Sequence, residues 1–195
     1  MAILAGLRDW LAARWVVAAG FMAAALLALV PVLCEPLALP VLLIFLHSPA
    51  YMVHQVEEHA GDRFRRFTND VVFGGREALT TASVLVINLP VVWGLNLGAL
   101  YAASLIGPGY ALVAPYALLV NGLTHVAAAI RLRRYNPGLV TSLILFLPLS
   151  LATLYVIGRE PGTGFATHAA GLAGALVLHA LIILHVALRL RRLGG

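Results

Sequence analysis

The sequence has no lysine, a single cysteine (Cys34), and only 11% charged residues. One cysteine per chain excludes an intrachain disulfide framework and a cysteine-based zinc site, so any metal must be held by histidine, carboxylate, amide or water. Soluble domains carry roughly 25% charged residues. A chain with 11% charged and 62% hydrophobic residues is therefore excluded from that class and belongs in a membrane. A net charge of +5 would otherwise raise nucleic acid as a partner. The arginines, however, fall almost entirely between apolar segments, a topological pattern that provides no nucleic-acid patch.

What the sequence does contain is long uncharged runs: Val16 to Cys34, Pro36 to Val53, Ala78 to Ile130, Tyr135 to Gly158 and Pro161 to Leu188. The third is long enough for two spans. Gly107-Pro108-Gly109 is its natural break, because glycine permits a turn and proline cannot continue helical hydrogen bonding. The pattern predicts an all-α bundle of six transmembrane helices, over 15–34, 38–60, 78–105, 110–132, 138–158 and 165–189, in one domain covering 1–195. Residues 1–14, with Trp10 near the boundary, read as an interfacial lead-in. The first run is too long for a signal-peptide h-region, so it is expected to remain as a span.

Of the 13 basic residues, all arginine, only Arg159 falls on one side of the alternating topology. That asymmetry places both termini in the cytoplasm and makes the chain a multi-pass protein of the inner cell membrane. Residues 61–77 form the one long cytoplasmic loop. With Arg63, Arg65, Arg66 and Arg76 it is expected to attract anionic headgroups of membrane lipids, or else to act as a lid over the adjoining site.

That site centres on Tyr51-Met-Val-His54-Gln-Val-Glu57-Glu58-His59, at the end of the second span. His54, Glu57 and Glu58 stand at i, i+3 and i+4, so one imidazole and two carboxylates share a helical face. Helical rise, about 1.5 Å per residue, puts His125 and His185 at the same depth on the fourth and sixth spans. Ionisable groups inside spans are expensive unless paired or coordinated. The expected constellation is a divalent metal held by His54, Glu58, His125 and His185, with Glu57 as general base and Asn121 and Asn88 supporting the ligands. Bland alternatives are a solvated helix end or ion pair around His54 and interhelical hydrogen bonding by His125 and Asn121. His47, His168 and His179 are expected to be structural, and Asn88 with Pro90 to mark a kink.

The run His54-Gln55-Val56-Glu57-Glu58 resembles the signature of the HXXEE family of small multi-spanning membrane proteins. Asn121-x-x-x-His125 and Tyr135-Asn136-Pro137-Gly138 resemble that family's later polar positions. The resemblance covers most of the chain and implies a site without naming its reaction. Two protease signatures fail: H-x-x-E-H by one residue, since it would need histidine at Glu58, and H-E-x-x-H because it would need glutamate at Gln55 as well as that histidine.

Three functions fit these residues. The leading one is a membrane metalloenzyme acting on a lipophilic substrate, with Glu57 deprotonating a metal-activated water. Zinc would make it a hydrolase, and non-haem iron would admit oxygen chemistry. The second is a transporter or proton-coupled carrier using the same polar groups. The third is a noncatalytic membrane scaffold. The oligomeric state is left open by the sequence.

Overall fold

The computed structural model describes residues 2–193, and the extreme chain ends named in the expectation of cytoplasmic termini lie outside that range. The described residues form helices and turns with no strand. Six helices account for nearly all of them: α1 (Ala2–Ala28), α2 (Leu39–Val72), α3 (Thr81–Leu105), α4 (Pro108–Leu132), α5 (Leu139–Ile157) and α6 (Phe165–Leu193). Each is long and apolar enough to cross a membrane, so the all-α, six-span architecture holds. The break between α3 and α4 falls at Gly107, whose φ of 152° lies in a region that side chains disfavour.

Three boundaries differ from the sequence expectation. The helix carrying the first span begins at Ala2, within the segment 1–14 expected as an interfacial lead-in, rather than near residue 15. It also ends earlier, at Ala28, and Pro31 begins a separate short helical turn, Val30–Leu33. The proline cannot donate the hydrogen bond that would continue the ladder. The expected loop 61–77 is largely helical. Gly61 and Asp62, both left-handed at φ 64° and 61°, redirect the chain after His59. Arg63–Phe67 then forms a helical turn, and Thr68–Val72 follows as a wider π turn. Phe64 explains the fold-back: its ring lies 5.7 Å from that of His59 and 6.0 Å from that of His125, over the polar layer.

Two more π turns interrupt the spans, at Ile87–Trp93 around Pro90 and at Ser142–Phe146. Such bulges rotate the residues that follow relative to a regular helix. The first is the irregularity expected at Asn88 and Pro90. It is held by Gln55, whose Nε2 donates to Asn88 Oδ1 at 3.0 Å while its Oε1 accepts from Trp93 Nε1 at 2.9 Å.

α2 lies at the centre, with 61% of its apolar window buried against 11% for α6. It packs on α1, α3, α4 and α5, so the helix bearing the His-Glu stretch is the one the others surround. α6 packs chiefly on α4, through its N-terminal half. A Cβ on Gly171 would fall 2.7 Å from Leu112 Cβ and 2.9 Å from its carbonyl carbon. Gly171→Ala should therefore lower stability by about 1–3 kcal/mol, as overpacking does, and reduce the melting temperature of the detergent-solubilised protein. Gly98→Ala, with open space around the added carbon, should leave that temperature unchanged or slightly raised.

Candidate metal centre

His54, Glu58 and His125 are buried, and their ligand atoms lie within 4.8 Å of one another. α2 supplies the first two one helical turn apart, and α4 supplies the third. Glu58 Oε1 is 3.1 Å from His125 Nε2, and Glu58 Oε2 is 3.5 Å from His54 Nε2.

Which ring nitrogens carry protons follows from the neighbouring hydrogen bonds. Glu57 accepts from Tyr135 Oη (2.8 Å), Val140 N (3.1 Å), Thr141 N (2.7 Å) and Thr141 Oγ1 (2.5 Å). Four donors fill the lone-pair positions of an ionised carboxylate. Partial burial and the Glu57 contact push the Tyr135 phenol up, keeping it a donor. Because the single Thr141 hydroxyl proton goes to an acceptor oxygen, its oxygen must accept from His54 Nδ1, 2.7 Å away. His54 therefore carries its proton on Nδ1 and, as a neutral ring, presents a lone pair at Nε2. That Nε2 is buried without a hydrogen-bond partner.

The same logic applies to His125. Asn136 donates from Nδ2 to the His125 carbonyl at 2.9 Å, which orients its amide. Asn136 Oδ1 then accepts from His125 Nδ1 at 2.6 Å, so His125 carries a proton on Nδ1 and turns its Nε2 toward Glu58. With both Nδ1 atoms protonated, the two Nε2 atoms and the Glu58 carboxylate can share either a metal cation or a proton, the latter making His125 an imidazolium paired with Glu58. The two observed separations run to different Glu58 oxygens, Oε1 and Oε2, and one ligand atom from each of the three residues lies within 4.8 Å of the others, so the group could hold a metal ion. Both rings of this donor set have supporting hydrogen bonds at Nδ1.

The other expected site residues are placed differently. Glu57 does not face the centre. Its carboxylate caps the N-terminus of α5, where unpaired N–H groups attract an anion. Its place at i+3 aligned it with His54 along the sequence, but α5 packs against that edge of α2 and captures it. His185 is also outside the group: its Nε2 meets Ser83 Oγ at 2.9 Å on α3. Equal depth did not bring it inward, because the C-terminal half of α6 stands away from α2. Asn88 serves Gln55 rather than a ligand. Asn121 faces the adjoining cavity with a buried, unpartnered Oδ1. His47 bonds Thr153, His168 bonds Tyr116, and His179 bonds the Ala175 carbonyl, each apart from the centre.

Sequence reasoning missed Thr141, Asn136 and Gly138 as parts of the site, and missed His59 beside it. His59 Nε2 lies 3.3 Å from Glu58 Oε2. Gly138, at φ 99°, covers the centre so closely that a Cβ would lie 2.6 Å from His125 Cε1, 2.8 Å from His54 Cε1 and 2.9 Å from Glu58 Cγ. Phe146, presented by the π turn in α5, stacks on the His54 ring at 4.1 Å. The Tyr135-Asn136-Pro137-Gly138 run was visible as a motif, but its nearness to α2 depends on the Glu57 cap.

A multi-span helical protein with a buried His/Glu group that could hold a metal ion is the class that this fold and geometry define. A family model described as "Protein of unknown function with HXXEE motif" matches residues 45–153. The match covers more than half of the chain, and the protein belongs to that family. No curated protein and no solved structure matches it.

Gly138→Ala should abolish stoichiometric zinc binding while leaving all three ligands in the sequence, measured by equilibrium dialysis and elemental analysis. Thr141→Val removes the acceptor that fixes His54. It should weaken zinc affinity by about 10–100-fold, the usual effect of losing such a partner, in competition with a chromophoric chelator.

Proposed function

We propose that the protein is a divalent-metal-dependent membrane enzyme acting on a lipophilic substrate, with hydrolysis as its reaction class. The observation that carries this reading is the orientation of His54 and His125: held by hydrogen bonds at Nδ1, both direct Nε2 at the Glu58 carboxylate. His54, Glu58 and His125 would hold the ion. Three protein ligands leave a coordination position open, as catalytic sites do and closed structural zinc sites do not.

When bound, a divalent ion would supply Lewis acidity, polarising a carbonyl or phosphoryl oxygen and lowering the pKa of water. The protein's own contributions are positioning and shielding. Glu57, acting through Thr141, holds the His54 ring in register, and Asn136 does the same for His125. Phe146 and Gly138 fill the space against the two rings and keep water from them. Glu58 and His125 line the adjoining cavity, so a substrate's polar head held there would lie beside the centre.

Glu57 enters this reading as a positioning residue rather than as the general base. Two imidazoles and one carboxylate also suit non-haem iron, so metal identity separates hydrolytic from oxidative chemistry. The transport reading gains less support: of the three histidines expected to form a path, His47 and His168 are each engaged in a separate hydrogen-bonded pair, and His179 alone lines the cavity beside the centre.

Elemental mass spectrometry of the detergent-purified protein should find about one zinc per chain. The metal should be lost in His54→Ala, Glu58→Ala and His125→Ala and kept in His185→Ala. Stoichiometric iron would shift the assignment to oxygen chemistry. No metal after supplementation of a folded protein would refute the enzyme reading.

A further inference from the structure

A cavity of about 500 Å³ lies beside the centre, between α6 and the helices that carry the ligands. Its shape follows from how α6 packs. Gly171 and Ala175 are buried against α4, whereas Leu178, Ile182, Val186 and Leu190, farther along the same face, are only half-buried. α6 thus starts in close contact with the bundle and stands off from it toward its C-terminal end, leaving a wedge-shaped gap. That end is tethered by packing of Val186 on the cluster of Trp15, Leu79, Val84 and Leu85 and by polar contacts, His185 to Ser83 and Arg189 to the carbonyl and carboxylate of Glu77.

The chemistry of the wall is uneven. The α6 side is apolar except for His179, and Phe64, Phe67 and Ile87 add further apolar lining, while Glu58 and His125 of the centre line the cavity together with His59 and Asn121. Val72, Thr124 and Ile183 line the cavity and are exposed, so it opens through the side of the bundle. The volume is within the roughly 300–1,000 Å³ of sites that take one small molecule, which suits one chain better than a two-chain lipid.

We propose that this wedge is the binding site for a single-chain amphiphile. Its long aliphatic chain lies along Leu178, Ile182 and Val186, and its oxygen-bearing head reaches Glu58 and His125. The ligand enters from the bilayer past α6. The assignment of the head to that end rests on the metal-centre reading above, while occupation of the wedge by a chain does not.

The test uses a hexadecanoyl hydroxamate carrying a mid-chain diazirine, added to the full-length protein with and without zinc, with metal content measured on the same samples. Photolabelling should saturate at one probe per chain, map to the inner face of Leu178–Leu190 and to Phe64–Phe73, and fall at least tenfold in Ile182→Trp. Unlabelled hexadecanoyl hydroxamate should compete, so the wild-type result stands if the tryptophan variant does not fold. Non-saturable labelling spread over lipid-facing residues such as Phe21 and Val177 would mean annular lipid only and overturn the proposal. Saturable labelling in a protein that binds no zinc would keep the chain site and remove the metal-centre reading. Zinc binding with only diffuse labelling would do the reverse.

Discussion

Two imidazoles and a carboxylate turned toward one another in an apolar interior need a shared positive charge, a metal ion or a proton, and much of this protein's polar structure holds them there. Glu58 sits between His54 and His125 at 3.5 and 3.1 Å. Neither ring can turn away, because each Nδ1 is tied, one to Thr141 and the other to Asn136. Burying ionisable groups without compensation costs several kcal/mol. A positive charge among the three would reverse the sign of that interaction.

The HXXEE stretch divides its tasks along the helix. His54 and Glu58, one turn apart, face the centre. Gln55 holds the π turn of α3, and Glu57 holds the start of α5. The Glu57 contact is the one on which the rest depends: by capping α5 it brings Thr141 to His54, sets Gly138 over the ligands and places Asn136 beside His125. One carboxylate thus organises a loop that supplies two hydrogen-bond partners and a close-packed glycine. The second carboxylate remains for the centre.

Much of this was legible in the sequence. Uncharged runs, a glycine-proline break and the arginine distribution suffice for six helices, since span length and polarity are set by the membrane. The pairing of His54 and Glu58 followed from helical spacing, and their meeting with His125 from equal depth. Depth fixes only one coordinate. His185 shares that depth but faces Ser83, because rotation about the helix and the splay of α6 are set by packing. Glu57 shows the same limit, since its hydrogen bonds come from a helix far along the chain. The loop expected at 61–77 became helical because two left-handed residues, one a non-glycine, turned Phe64 inward. Composition marked that segment as polar, and polarity alone does not distinguish a loop from a helix that covers a site.

The central claim is that His54 and His125 are fixed as Nδ1-protonated rings whose Nε2 atoms face a common cation. Side-chain ¹⁵N nuclear magnetic resonance of histidine-labelled, zinc-loaded protein tests it most directly, with His54→Ala and His125→Ala assigning the signals. Two rings with protonated Nδ1 and metal-shifted Nε2, each lost in one variant, are predicted. A proton on Nε2 of either ring in the zinc-loaded protein would contradict the account.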